Sequence, residues 1–434
     1  MTIIPSRREF IRRSLIIFGG LVMAATLPWN KKRDTSMAME RTKPRDRKST
    51  RAGNTVVAIE PCGSYDPRAV HHALIKILEA LRFNVPRGIR VLLKPNIIAQ
   101  NTPDQATTTH PSVVEASCRI FIDNGCRVTI GDSSAFYQGG GTREGFVTTG
   151  IAAVAKRYGA TLLPFEATTL RKITSGEALN PFYVTGAAFE HDLVVNLPKL
   201  KVHRLARYTG AIKNIYGCIP GGTKQVYHKL YQHHPEYRRV WGKPLVDVYE
   251  SINPGLNILD AVVGLHRDGP AANGEPRRTG VLMASRDGAA LDVVACRMIG
   301  FDPLRVPAVE EAVRRGLTPL DGIRVLGNLP LVPYAEPPES PPPRGLMGKI
   351  DDYVFDQFIV EPRVDGSACD GCGACVEMCA VKALAPGAGG IPRVDYRACI
   401  FCYCCEEYCT RGAVSLHGGV VNHAMRAVRY LLKL

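Results

Sequence analysis

The feature that most restricts how this 434-residue chain can fold is a cysteine pattern that occurs twice. Cys369-x2-Cys372-x2-Cys375-x3-Cys379 returns thirty residues later as Cys399, Cys402, Cys405 and Cys409. The flanks repeat with it: Val364-Asp365 matches Val394-Asp395, and Ala383-Leu384 matches Ala413-Val414. A constant offset marks an internal duplication and fixes its register. Of the nine cysteines between 369 and 409, eight then have a counterpart. Cys404 stands where the first copy has Ala374 and is the extra one.

The spacing carries its own chemistry. C-x2-C-x2-C wraps a loop around one four-iron cubane, and the fourth cysteine of each run reaches the other cluster. Cys369, Cys372, Cys375 and Cys409 are therefore expected to hold one [4Fe–4S] cluster, and Cys399, Cys402, Cys405 and Cys379 a second. A disulfide framework and a paired C-x2-C zinc ribbon are the rival uses of cysteine. Neither predicts three closely spaced cysteines plus a fourth, twice over. Gly371 and Gly373 suit a chain wound tightly round a cluster. Residues 359–418 resemble the bacterial two-[4Fe–4S] ferredoxin domain, with one departure: Ala380 and Thr410 replace the proline that usually follows the fourth cysteine. The resemblance implies one-electron transfer and a redox partner protein.

The N-terminus explains most of the charge. Thirteen Lys/Arg against four Asp/Glu in residues 1–51 give +9 of the formal +15, leaving +6 for the rest. No basic stripe interleaved with aromatics follows, which argues against nucleic acid as a partner. Ser6-Arg7-Arg8-Glu9-Phe10-Ile11-Arg12 precedes an apolar run from Leu15 to Leu27. That run is too short to span a membrane and suits a secretory leader. It resembles a twin-arginine (Tat) leader, which implies export in the folded state to the periplasm or another extracytoplasmic compartment. The cleavage site is poorly defined, with Val22-Met23-Ala24 one candidate, so residues 1–29 serve as a signal or, uncleaved, as the chain's one membrane anchor. Residues 30–54 read as a flexible spacer.

From residue 55 short apolar strands alternate with helical spacings. Strands are expected over 55–60, 90–97, 127–133, 192–199, 257–264 and 280–285, and helices over 66–83, 111–125, 142–160 and 287–300. Continuous apolar strands between helices imply an α/β fold, a mostly parallel sheet with helices on both faces, over 55–328. Seven prolines between 330 and 343 predict a stiff linker over 329–358. The cysteine module, a small α+β unit, follows, and residues 419–434 form an amphipathic terminal helix.

Three polar islands interrupt the apolar strands: Lys94-Pro95-Asn96, Gly131-Asp132-Ser133, and the run from Asn196 to Gly221. Ligands of open α/β sheets bind beyond the carboxyl ends of strands. Lysines and asparagines there suit a carboxylate or phosphate, and His203 suits proton transfer. Cys62, Cys118, Cys126, Cys218 and Cys296 lack ligand spacing; most read as small core residues, and Cys218 is the exception because it lies in the third island.

"VLLKPNI", "IGDSS", "VNLPKLKVHRLARYTGAIKNIYG" and the segment from "ILDAVVG" to "CRMIGFDP" resemble the uncharacterised family named domain of unknown function 362, over 55–328. The resemblance implies fold and architecture, including frequent fusion to ferredoxin-like domains, rather than a reaction. Its motifs contain His203, Lys213, Asn214, Asp260 and Asp292. Combined with the islands, they give His203, Lys213 and Asn214 as catalytic candidates, and Lys94, Asn96, Asp132, Lys199, Lys201, Asp260 and Asp292 as substrate-binding candidates. The leading expectation is an exported iron–sulfur electron-transfer protein, an oxidoreductase or a subunit of one, whose ferredoxin module serves an α/β domain that binds a small anionic ligand. The rival is a non-enzymatic binding or assembly module, with structural clusters or clusters that serve a partner.

Overall fold

The computed structural model describes residues 55–134, 141–232, 234, 236–270, 274–337, 346, 350, 353 and 359–419. The expected leader, the spacer and the C-terminal helix over 419–434 lie outside the described residues, apart from residue 419. Among the described residues no helix is long and apolar enough to cross a membrane.

Ten strands form one mixed sheet. They are β1 (Val56–Pro61), β2 (Arg90–Lys94), β3 (Arg127–Asp132), β4 (Thr161–Pro164), β7 (Leu193–Asn196), β8 (Lys199–His203), β9 (Arg207–Thr209), β10 (Leu256–His266), β11 (Glu275–Ser285) and β12 (Arg324–Leu326). β5 (Leu170–Ile173) and β6 (Phe182–Thr185) pair separately. The order β12-β1-β11-β10-β7-β2-β3-β4 is parallel from β10 through β4. The exceptions are the β10–β11 hairpin, β1 against β11, and β9 against β8. The sheet is thus mostly parallel, as expected.

Strand alternation sends side chains into cores on both faces. On one face, Val91 and Leu93 of β2 meet α1 (Pro67–Ala80), α2 (Pro111–Asp123) and α4 (Ile151–Tyr158). On the other, Leu92 meets α7 (Gly242–Ile252) and α9 (Pro307–Arg314), while Val57 and Ile59 meet α8 (Gly288–Met298). The starts of α1 and α2 follow their sequence signals. Pro67 and Pro111 occupy the first turn, and the Asp66 carboxylate accepts from the amides of Arg68 and Ala69. One expected helix is divided: 142–160 becomes α3 (Thr142–Thr148) and α4, because Gly150 between them turns left-handed at φ 77°.

Two short helices, α5 (Ala211–Ile215) and α6 (Thr223–Gln232), follow β9, and α5 packs on β7, β9 and β10. The start of the expected linker is not free. Val332 and Tyr334 donate their amides to Met298 and Ile299, and Tyr334 is buried against β10 and β11. In the cysteine module, β13 (Glu361–Val364) pairs with β16 (Val414–His417) and β14 (Leu384–Pro386) with β15 (Pro392–Val394). Helices α10 (Ala374–Glu377) and α11 (Cys404–Glu407) complete it.

Candidate functional site

The parallel register sets Lys94 of β2 beside Asn196 of β7, with Asp132 ending the next strand. All three polar islands therefore meet at one sheet edge. Lys94 Nζ lies 2.6 Å from Asp132 Oδ1, and both side chains are buried. The second Asp132 oxygen accepts the Ile97 amide at 2.7 Å. Asn96 Nδ2 donates to Asn214 Oδ1 (2.8 Å), and Asn214 Nδ2 to Asn196 Oδ1 (2.7 Å). Lys201 Nζ donates to Asn96 Oδ1 (2.6 Å) and to the Thr107 carbonyl (2.7 Å). Buried polar groups require partners, and these side chains supply one another. Burial, followed by the neighbouring Lys213 charge, holds Lys201 well below the usual ammonium range.

Lys199 belongs to a second knot. Its Nζ reaches Asp260 Oδ2 (2.8 Å) and Tyr65 Oη (2.7 Å); Tyr65 donates to Asp260 Oδ1 (2.8 Å) and stacks on His110 at 3.6 Å. Asp292 caps α5, accepting the amides of Ala211 (2.7 Å) and Ile212 (2.9 Å) and the Tyr208 hydroxyl (3.1 Å); burial pushes its carboxyl up to about 7. The candidates assigned to substrate binding from sequence are thus largely engaged with the protein itself, so they shape the edge of the sheet.

The groups with unspent capacity lie beside these knots. His203 Nδ1 accepts the amides of Leu205 (3.1 Å) and Ala206 (3.2 Å), which leaves Nε2 as its hydrogen-bearing nitrogen. The His203 ring lies 6.1 Å from that of His228, which lies 4.4 Å from Trp241. Tyr216 stands edge-on to both His228 and Trp241 at 5.7 Å. Lys213 Nζ sits 5.6 Å from the Tyr216 ring centre and 6.0 Å from that of Trp241. Burial, then Lys224, brings Lys213 down to about 7, and burial with the neighbouring lysines drives His203 and His228 well below the usual imidazole range. Lys213 and His228 nevertheless keep part of their surface open. A small box results, basic on one side and aromatic on the other.

Next to it, Lys224 Nζ contacts Ser133 Oγ (2.6 Å) and the Ser134 carbonyl (3.0 Å), and is lowered to about 8, chiefly by burial. The Ser133 hydroxyl donates to Glu166, which also accepts from Thr142 Oγ1 (3.1 Å) and from the Gly221 amide (3.3 Å). Burial raises Glu166 above the usual carboxyl range. No sequence motif singles out Tyr65, Glu166, Tyr216, Lys224, His228 or Trp241. One signal was present: Lys224 and His228 are four apart and share a face of α6.

In the cysteine module the duplication is visible in the backbone. Gly371 and Gly373 have φ of 72° and 76°; thirty residues on, Phe401 and Tyr403 have 57° and 63°. The amides of Gly371 and Phe401 donate to Cys369 and Cys399 Sγ at 3.4 Å, and those of Ala383 and Ala413 to Cys379 and Cys409 Sγ at 3.1 and 3.2 Å. In an iron–sulfur cluster, hydrogen bonds to the ligand sulfurs tune the reduction potential. One cavity is lined by Cys369, Cys372, Cys375 and Cys409, with Val364, Pro392 and Val414 among its walls. Cys379 instead neighbours Cys399 and Cys405. The fourth cysteine of each run has thus crossed to the other set.

All fourteen cysteines are unbridged. Among the described residues no three His, Cys, Asp or Glu side chains stand ready for a single metal ion. A cubane asks for a different arrangement, four thiolates splayed around a cube so that each meets its own iron. The donor chemistry, the cross-over and the lined cavity fit that demand.

The second cysteine loop is docked on the α/β body. The Gly222 amide donates to the Phe401 carbonyl (2.8 Å) and Thr223 Oγ1 to the Ile400 carbonyl (2.6 Å). Arg143 pairs with Glu407 at 2.7 Å, and Tyr408 Oη donates to the Ala167 carbonyl at 3.3 Å. Phe401 and Tyr403 pack with Val226 and Val360. Cys404 is buried here, its thiol 3.8 Å from the Thr168 carbonyl. Cys372, by contrast, is exposed.

Fold and site together define a class: an α/β body with a basic strand-end site, joined to a duplicated cysteine module. The chain belongs to the family described as domain of unknown function (DUF362), whose model matches residues 91–297, within the α/β body. A thylakoid-associated protein of Synechocystis sp. (strain ATCC 27184 / PCC 6803 / Kazusa) is 33% identical over 260 residues, 59% of this chain and 78% of that protein. Among solved structures, the lactate racemase apoprotein from Thermoanaerobacterium thermosaccharolyticum overlaps 57% of each chain at 13% identity and a TM-score of 0.39, a likeness too weak to carry an argument.

Proposed function

We propose that this protein is an exported iron–sulfur electron-transfer protein whose α/β body binds a small anion. The observation that carries the reading is the convergence of Cys369, Cys372 and Cys375 with Cys409, rather than with Cys379, around one cavity. Cys399, Cys402, Cys405 and Cys379 would hold the second cluster. Two [4Fe–4S] clusters, when bound, supply one-electron transfer.

The rest is the work of the chain's own residues. The first cysteine set includes the exposed Cys372 and so faces a redox partner protein. The second set is held against the Gly221–Gly222 turn, and α6, which follows that turn, carries Lys224 and His228. Lys213 and His203 Nε2 face the same box and would bind the anion; the aromatic walls would keep water from it. The Lys94–Asp132–Asn214 network holds α5, and with it Lys213, against the sheet. The Tat-like leader, together with the thylakoid association in the relative's name, supports a location outside the cytoplasm at or near a membrane.

The tight docking of the second loop favours one alternative, in which the clusters only brace a non-enzymatic binding or assembly module. Stepwise reduction of anaerobically purified protein, followed by electron paramagnetic resonance, separates the two. Electron transfer requires signals that appear on reduction and vanish on reoxidation. Clusters that cannot be cycled would leave the bracing role.

A further inference from the structure

We propose that the box formed by His203, Lys213 and His228 receives a dianionic tetrahedral oxyanion, a phosphate or phosphomonoester head group, and takes up protons as it does so. This rests on the anion-binding reading of the same site and adds the ligand's charge, shape and proton linkage.

The three side chains come from three elements, β8, α5 and α6, so they approach a common ligand from different directions. A planar carboxylate offers two oxygens and one charge; a phosphoryl group offers three or more oxygens and close to two charges at neutral pH. The groups acting on the box are almost all basic. Lys213 feels Lys224; His203 feels Lys213, His228 and Lys201; His228 feels Lys213 and Lys224. The carboxylates of the neighbourhood are engaged elsewhere: Asp132 with Lys94, Asp260 with Lys199 and Tyr65, and Glu166 with Ser133 and Thr142. Lys201, behind the box, feels Asp132 along with Lys213, Lys199 and Lys94, and Lys224 feels Glu166 and Asp132.

An independent observation points the same way. The indole N–H of Trp241, fully buried against His228, has no hydrogen-bond partner among the described residues. Gln225, one turn before His228 on α6, is also buried, and its Nε2 donor has no hydrogen-bond partner among the described residues. Buried donors left unsatisfied are rare and costly in a finished structure. A ligand rich in acceptor oxygens is the partner that such donors lack.

The proton linkage follows from charge. Burial and like charges favour the neutral forms of the bases of the box, and Lys213 sits at about 7. A dianion reverses that preference, so binding draws protons in. Affinity must then fall as pH rises through the range where Lys213 loses its proton, by about tenfold per pH unit for each proton linked.

Titration calorimetry on the full-length protein tests this, using sulfate, inorganic phosphate, phenyl phosphate and benzoate at pH 6.5, 7.5 and 8.5 in two buffers of different ionisation enthalpy. Sulfate keeps its charge over this range, so its pH dependence belongs to the protein. Sulfate and phenyl phosphate are expected to bind at least tenfold more tightly than benzoate, sulfate with net proton uptake and with an affinity that falls toward pH 8.5. Phenyl phosphate binding more tightly than phosphate marks an ester as the source of the head group, and the reverse marks free phosphate. Lys213→Gln should lose binding, whereas Lys213→Arg should bind with a flatter pH profile. Equal affinity for benzoate and sulfate, no proton uptake, no binding at millimolar anion, or a Lys213→Gln variant that binds like the parent would each overturn the proposal. Iron measured on the same samples keeps it separate from the electron-transfer reading: anion binding without iron would sink that reading and leave this one standing.

Discussion

Lys94 and Asp132 show why a lysine in a strand-end motif need not be a ligand-binding lysine. Each is buried, and each has the other as its counter-charge at 2.6 Å. Removing one member of such a pair strands the other. Lys94→Met should therefore cost about 3–5 kcal/mol of stability in urea unfolding. The double variant Lys94→Met/Asp132→Leu should recover most of that loss; if it recovers none, the pair is not what holds this edge. Cys404 is the opposite case, a residue marked as surplus by the repeat and found buried against the Thr168 carbonyl. Cys404→Ala should keep the full iron content. Loss of about four irons, one whole cluster, would mean that the repeat assigns the wrong ligand. What local spacing fixes, above all the thirty-residue repeat that leaves Cys404 without a counterpart, was legible in the sequence. His228, Trp241 and Glu166 were not, because their partners lie far away in the chain and only the tertiary fold brings them near.

The short turn from Pro220 to Gly222 ties the α/β body to the cysteine module. Gly221 has φ 61°, and a Cβ there would lie 2.6 Å from the Cys402 carbonyl oxygen. Across from it, the second cysteine loop bears Phe401 and Tyr403 in the left-handed conformation that Gly371 and Gly373 adopt without cost in the first. A non-glycine residue in that conformation is disfavoured by about 1–2 kcal/mol. The side chains offset this by packing on Val226 and Val360. Gly221→Val should undock the loop, and hydrogen exchange of amides 399–405 should speed up while those of β2 and β3 stay protected. Unchanged exchange at 399–405 would show that the contact is incidental. The register of the duplication was readable from sequence, but its asymmetry was not. Aromatics in place of glycines acquire a meaning only when the surface they cover is known. The division of the expected 142–160 helix has a simpler cause, since Gly150 was visible but nothing local said that it would turn left-handed.

For the whole molecule, the mostly parallel sheet with helices on both faces was legible because its strands are short and apolar throughout. The antiparallel insertion of β11 between β1 and β10 was not, since strand direction depends on pairing partners that apolar patterning does not name. Export can be tested separately from fold: exchanging Arg7 and Arg8 for Lys should hold the protein in the cytoplasm, and unaffected export would refute the twin-arginine leader. The central claim, that the duplicated cysteines hold two four-iron clusters, is tested most directly by iron and acid-labile sulfide analysis of protein purified without oxygen. The account predicts about eight irons and about eight sulfides per chain. Four or fewer irons accompanied by zinc would contradict it.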